Sequence, residues 1–238
     1  VGLALGLAGT LMQSITRNPL ADPGLFAINA GSSLAVVFAI AALGIIEPAG
    51  YIWFAVLGAA LSIAIAAITD MVLVSNEAVF YQFRFWSVGS LQGRGLDVAL
   101  TVLPFIVLGV ILALCVIRPL NAMALGDEMA RSLGASPGSG RIVSAVAVVL
   151  LAGAATAAAG PIAFIGLAAP HIVRMVVGGD HRLLIPGVIV VAPAFLVLAD
   201  SIGRWVLAPA ELQTGLAAAF VGAPIFIMLV RSRRVAAL

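Results

Sequence analysis

Stretches of about twenty apolar residues recur from one end of the chain to the other, each long enough to cross a bilayer as a helix. Inside a bilayer no water bonds to the backbone, so a chain built this way closes its hydrogen bonds within helices or in a sealed barrel. Barrel strands would read as alternating segments of about 10 residues, which is not the pattern here. With 63% hydrophobic and 9% charged residues among 238, and a mean hydropathy of +1.22, an ordinary soluble domain is excluded, since those run near 45–50% apolar and 25% charged. The expected fold class is all-α, a polytopic transmembrane helical bundle forming a single domain over 1–238.

The spacing predicts spans at about 1 to 15, 24 to 43, 51 to 74, 98 to 117, 142 to 160, 161 to 177, 183 to 203 and 214 to 230. The first residues read as the tail of a span whose beginning is missing. Short turn-rich connectors separate the spans, among them RNPLADPG at 17 to 24, GSLQGRG at 89 to 95 and GGDHR at 178 to 182, so consecutive helices pack as neighbours. Small residues at four-residue spacing, such as Gly2 and Gly6, Gly153 and Ala157, or Ala218 and Gly222, suit close helix packing in lipid. Prolines 104, 161, 170, 193 and 224 free backbone carbonyls, and broken helices are expected at some of them.

Charge and side-chain chemistry exclude several functions. The 12 basic residues are all arginine, so neither Schiff-base chemistry nor the lysine of a phosphate-binding loop is present, and the chain does not hydrolyse ATP by itself. A net charge of +2 with dispersed arginines argues against nucleic acid as a partner. Cys115 is the sole cysteine, and the histidines at 171 and 181 lack metal-ligand spacing, so no metal site is expected. His171 reads as a packed, hydrogen-bonded side chain. Asp200 and Arg204, one turn apart, read as an ion pair.

Arginine bias in short loops sets the orientation. The densest cluster, Arg231, Arg233 and Arg234, places the C-terminus in the cytoplasm. The loop with Arg174 and Arg182 and the connector with Arg118, Arg131 and Arg141 then lie inside. Residues 75 to 97 and 205 to 213, carrying Trp86 and Trp205, lie outside. Within the longest inner connector, Asn121 to Leu133 predicts one amphipathic helix with Met123, Leu125, Met129 and Leu133 on one face and Asp127, Glu128 and Arg131 on the others. Mixed charge on its polar face suits docking to a protein groove better than lying on lipid.

Six blocks appear in order: TRNPLADPG at 16 to 24, FWSVGSL at 85 to 91, NAMALGDEMARSLGA at 121 to 135, GPIAFIGLAAPHIVR at 160 to 174, GGDHRLLIP at 178 to 186 and ELQTGLAAAFVGAP at 211 to 224. Together they resemble the permease subunits of ABC importers for iron(III)-siderophores, haem and vitamin B12, the FecCD family. The resemblance implies an assembly in the cytoplasmic (inner) membrane of a bacterium: a second permease subunit, two cytoplasmic ATPase subunits and an extracytoplasmic substrate-binding protein. No cofactor belongs to this chain; ATP and Mg are bound by the partner ATPase.

By the same resemblance the segment 118–141 is the ATPase-coupling region, with Asp127, Glu128, Ala130, Arg131, Leu133 and Gly134 as its residues. Arg17, Asn18, Pro19, Leu20, Asp22 and Pro23 form the cytoplasmic signature turn. Physically, Asn18 before a proline is pushed extended and Asp22 suits the cap of a helix opening at Pro23. Arg204, with Arg84 and Arg94, is placed for docking the binding protein. Many relatives read ELPVG where this chain has Glu211, Leu212, Gln213, Thr214 and Gly215, so its last helix lacks that proline.

The function this implies is the permease subunit of an ATP-driven importer of an iron(III)-siderophore; the alternatives are vitamin B12 or haem as cargo, or an ion-coupled secondary transporter. The family has about ten spans where about eight are visible. Orientation by charge is also inconsistent at Arg17 if 51 to 74 is one span. One complete span is therefore expected to be missing there, with a chain break near Ala64 to Asp70.

Overall fold

The structure, a computed structural model, describes residues 1–23, 48–206 and 212–231. The expected span at 24 to 43 lies outside these, as do Glu211, Arg233 and Arg234. Among the described residues every regular element is helical: α1 Gly2–Thr16, α2 Pro48–Ser75, α3 Glu77–Ser87, α4 Leu96–Cys115, α5 Ile117–Ala124, α6 Asp127–Ser132, α7 Pro137–Ala159, α8 Ile165–Val177, α9 His181–Val206 and α10 Thr214–Arg231. By length and composition α4, α7 and α9 suffice to cross a membrane. Contacts divide the chain into two compact units, Val1–Gly24 with Trp86–Leu238, and Leu25–Phe85.

In the smaller unit α2 runs for 28 residues without interruption, about 42 Å at the α-helical rise. The chain break expected near Ala64 to Asp70 is therefore not there. From Leu61 to Ser75 no glycine or proline interrupts the helix, and the Thr69 and Ser75 hydroxyls donate to the carbonyls of Ile65 and Met71 one turn back. Asn76 ends this run and caps the next, its side-chain oxygen accepting the Val79 N–H at 3.2 Å.

The larger unit is organised around α1, which packs against α7, α8 and α9; α4 lies on α7, and α10 on α9. Lipid gives no hydrophobic force between helices, so contact depends on how closely backbones approach. The α1 glycines allow that approach. A β-carbon at Gly6 would meet the side chains of Ala192 and Val188, and one at Gly9 would run into the backbone of Gly166. Leu7 and Leu11 fill the space between and are fully buried. The pair Gly153 and Ala157 differs, because nothing lies near a β-carbon at Gly153.

Between α7 and α8 the backbone leaves helical form at residues 160–164, so the helix expected from 161 begins at Ile165. Gly160 (φ 77°) and Phe164 (φ 70°) turn the chain, and Pro161 supplies no N–H to continue a helix. Irregular backbone at this depth is tolerated where protein covers it, and Ile162 and Ile165 are buried. Prolines 104, 170, 193 and 224 sit inside unbroken helices.

Gly9→Ala should lower thermal stability in detergent by about 1–3 kcal/mol or more, because backbone rather than a flexible side chain opposes the added methyl. Gly153→Ala should be neutral or stabilising by about 0.5–1 kcal/mol. Equal melting temperatures for the two variants would refute the close α1–α8 approach.

Candidate functional site

The sequence-predicted turn and connector meet at one end of the larger unit. Helix α1 stops where Arg17 adopts a left-handed conformation (φ 50°, ψ 33°) and its N–H bonds back to the Gln13 carbonyl. For a residue with a β-carbon this conformation costs about 1–2 kcal/mol. The side chain offsets it by donating to the Met123 carbonyl (3.1 Å) and to Asp127 Oδ1 (2.6 Å). Asn18 then shapes the turn, its side-chain oxygen accepting the Leu20 N–H at 2.9 Å and its carbonyl the Ala21 N–H at 3.1 Å. Asp22 is buried; a capping role toward the residues after Pro23 falls outside the described residues.

The connector is two helices rather than the one expected over 121 to 133. Gly126, at φ 102° and ψ 156°, separates α5 from α6 in a conformation open to glycine. The break also divides the apolar face: Met123 faces inward at 3% exposure, whereas Leu125 (66%), Met129 (52%) and Leu133 (62%) form an outward ridge. Ala130 is buried beneath it, and Glu128, Arg131 and Gly134 are exposed beside it.

Asp127 points away from that ridge. It bridges Arg17 at 2.6 Å and Arg141, near the start of α7, at 2.7 Å. The hydrogen bond from Arg141, with the charges of Arg141 and Arg17, outweighs desolvation and holds its carboxyl below the usual carboxylate range. The tie is thus present at neutral pH and is lost as pH falls through that lowered value.

Two further ties join α5 and α8 to α1. Asn121 Nδ2 donates to Asp180 Oδ1 at 2.6 Å, which turns its oxygen toward His181, where it accepts the backbone N–H (3.0 Å) and faces Nδ1 (2.7 Å). Nδ1 therefore carries the proton, and Nε2 meets the Ser14 hydroxyl at 2.7 Å. Deeper, Pro170 lacks the N–H that would close the α8 turn on the Gly166 carbonyl. Gln13 Nε2 donates to that carbonyl at 3.1 Å, and Arg174 fixes Gln13 by donating to its Oε1 at 2.6 Å.

At the opposite end Asp200 pairs with Arg204 at 2.8 Å and accepts from the Thr214 hydroxyl at 2.6 Å. Thr214 in turn accepts the Leu91 N–H (3.1 Å), while Gly215 N–H bonds to the Gly89 carbonyl and Ser90 N–H to that of Ala159. The FWSVGSL block is thus a backbone clasp between α7 and α10. Arg84 and Arg94 are exposed, and Trp205 stands 83% exposed at the end of α9. His171, expected to be hydrogen-bonded, makes no side-chain hydrogen bond among the described residues; His181 is the buried, bonded histidine. No cluster of three metal-ligating side chains occurs among the described residues.

An apolar helical bundle with covered backbone breaks, clasped at one end and carrying an exposed apolar ridge at the other, is an integral membrane protein. The chain belongs to the FecCD transport family, whose model matches residues 1–69 and 55–232. It is 39% identical over 260 residues to the ferric enterobactin transport system permease protein FepD of Escherichia coli, covering 98% of this chain and 78% of that one. The hemin transport system permease protein HmuU of Yersinia pestis is 35% identical over 269 residues, with 98% and 79% covered. A solved structure described as an inward-facing conformation of a putative metal-chelate type ABC transporter matches with a TM-score of 0.74 and 25% identity, covering 96% of this chain and 82% of that one.

The hydrogen-bonding roles of Gln13, Ser14, Asn121, Arg141, Arg174 and Asp180 are not legible in the local sequence. One signal was available: a proline at 170 leaves the carbonyl four residues back without a donor. Gln13→Ala should destabilise the protein by about 1–3 kcal/mol. In a Pro170→Ala background, where the N–H returns, the same substitution should cost less than half as much. Additive effects in that double-mutant cycle, followed by thermal unfolding, would dismiss the substitution of a side-chain donor for a backbone one.

Proposed function

We propose that this chain is the membrane permease subunit of an ATP-driven importer that carries an iron(III)-siderophore across the cytoplasmic membrane, with α5 and α6 facing the cytoplasm. The single observation that supports coupling is the ridge of Leu125, Met129 and Leu133, exposed although apolar, beside Glu128 and Arg131. Its opposite side is tied to α1, α7 and α9 through Asp127, Met123 and Asn121. A partner ATPase, holding ATP and Mg, closes on the ridge; the ties carry that displacement into the spans. In this reading Asp127 acts within the permease, whereas Glu128, Arg131 and Leu133 meet the partner. A second permease subunit completes the pathway, and a binding protein delivers cargo at the Arg204 end.

The substrate class follows relatives whose names specify ferric enterobactin and hemin. Ferric siderophore is preferred, with haem or vitamin B12 the alternative. Such chelates enclose their metal, so the pathway requires width rather than ligands.

Met129→Asp or Arg131→Glu should abolish co-purification of the ATPase and uptake, with an unchanged melting temperature. Asp127→Asn should leave the ATPase bound yet reduce transport per ATP hydrolysed. Normal uptake by Arg131→Glu removes the coupling assignment. Arg204→Gln should slow binding-protein association at low salt and much less at high salt; it also frees Asp200, so melting is measured alongside to separate docking from fold.

A further inference from the structure

Beside the ties lies a cavity of about 210 Å³ lined by Gln13, Ser14, Arg17, Met123, Arg174 and His181, among others. We propose that it binds a phosphate group, supplied by an acidic phospholipid of the adjoining leaflet.

Arg174 is half-buried, and no carboxylate lies within ion-pair distance of it among the described residues. Its fork has five N–H donors, of which one is recorded in use, on Gln13. Removing a guanidinium from water without a counter-charge is expensive, and a planar fork matches phosphate oxygens.

The neighbouring carboxylates do not remedy this. Asp127 is shared between Arg17 and Arg141. Asp180 accepts from Asn121 and from the Arg182 backbone N–H. One carboxylate thus serves two arginines, so Arg17 is only partly neutralised, and Arg174 has no carboxylate partner among the described residues. Ser14 and His181 lie at the same wall with their protons already committed, Nδ1–H to Asn121 and the hydroxyl toward Nε2, so the arginines supply the donors for the phosphate.

The rest of the lining decides the source. Pro19, Leu120 and Met123 make the remaining wall apolar, which suits the glycerol and first methylenes of a lipid rather than a hydrated ion. The cavity is lined where α1 and α8 end and α9 begins, and basic pockets between spans take acidic lipids.

The inference rests on the membrane reading of these helices and on no ATPase partner. The test uses the isolated full chain in detergent, titrated with phosphatidylglycerol, phosphatidylcholine or inorganic phosphate while its melting temperature is followed. Phosphatidylglycerol should stabilise well beyond phosphatidylcholine. Arg174→Gln should raise its half-saturating concentration about tenfold or more. Because Arg174 also holds Gln13, Gly179→Glu is the second variant: nothing lies within 4 Å of a β-carbon there, so it places a competing carboxylate at the rim while leaving the fold alone. It should weaken phosphatidylglycerol to the same degree. Stabilisation by inorganic phosphate, lost in both variants, keeps the phosphate site and overturns lipid as its source. Equal responses to the two lipids, or an unchanged response in Gly179→Glu, overturn the proposal. Met129→Asp, which tests the ATPase reading, should leave the lipid response intact.

Discussion

In hydrocarbon every backbone carbonyl needs a donor from the protein itself, and Pro170 removes one from Gly166. Gln13 replaces it from another helix. That bond fixes the depth of α1 against α8, and the contact of Gly9 with Gly166 shows how little space the arrangement leaves. Arg174 enters as the group that aims Gln13, so a cation is drawn into the bundle end by a backbone requirement. The same rule governs the far end, where Ser90, Gly89 and Gly215 exchange backbone bonds with α7 and α10 across glycines that admit no β-carbon.

These requirements make the ends of the larger unit different in kind. At the Asp200 end, bonds run mainly through backbone and close around Thr214. At the Asp127 end they run through long side chains, with Asp127 itself partly exposed between two arginines. Ion pairs of this exposure contribute little to stability, roughly 0–1 kcal/mol each. The fold therefore depends on the packing of α1 rather than on these pairs. Asn121, Met123 and Asp127 connect α5 and α6 to α9, α1 and α7.

Local pattern carried most of the helices and the order of the motifs, since each depends on residues close in sequence. Where the reading failed, the cause was a single residue or a distant partner. Gly126 divides one amphipathic period into two helices, and so turns Met123 inward while its three companions face out. The partners of Asp127, Arg17 and Arg141, lie on other elements, so its ion pairs were not legible from its own segment. Gln13 was invisible as a donor because the carbonyl it serves lies 153 residues away. His181 rather than His171 is the bonded histidine for the same reason, as the bonding groups on Ser14 and Asn121 come from elsewhere in the chain.

Helix α2 shows how a helical membrane chain absorbs a change in length. The family model matches in two pieces that both include residues 55–69, and alignments to relatives extend over 260 and 269 residues, more than the 238 of the chain itself. Relatives thus carry residues that this chain lacks internally, and the doubly matched stretch places the shortfall within α2. Yet α2 is continuous from Pro48 to Ser75. An α-helix closes each hydrogen bond four residues back, whatever lies beyond, so two apolar segments joined in the absence of glycine or proline form one ladder with no orphaned group. Local physics leaves no scar at such a junction. Composition and backbone geometry alone therefore read α2 as an ordinary long helix, and the difference in length shows only by comparison with the relatives.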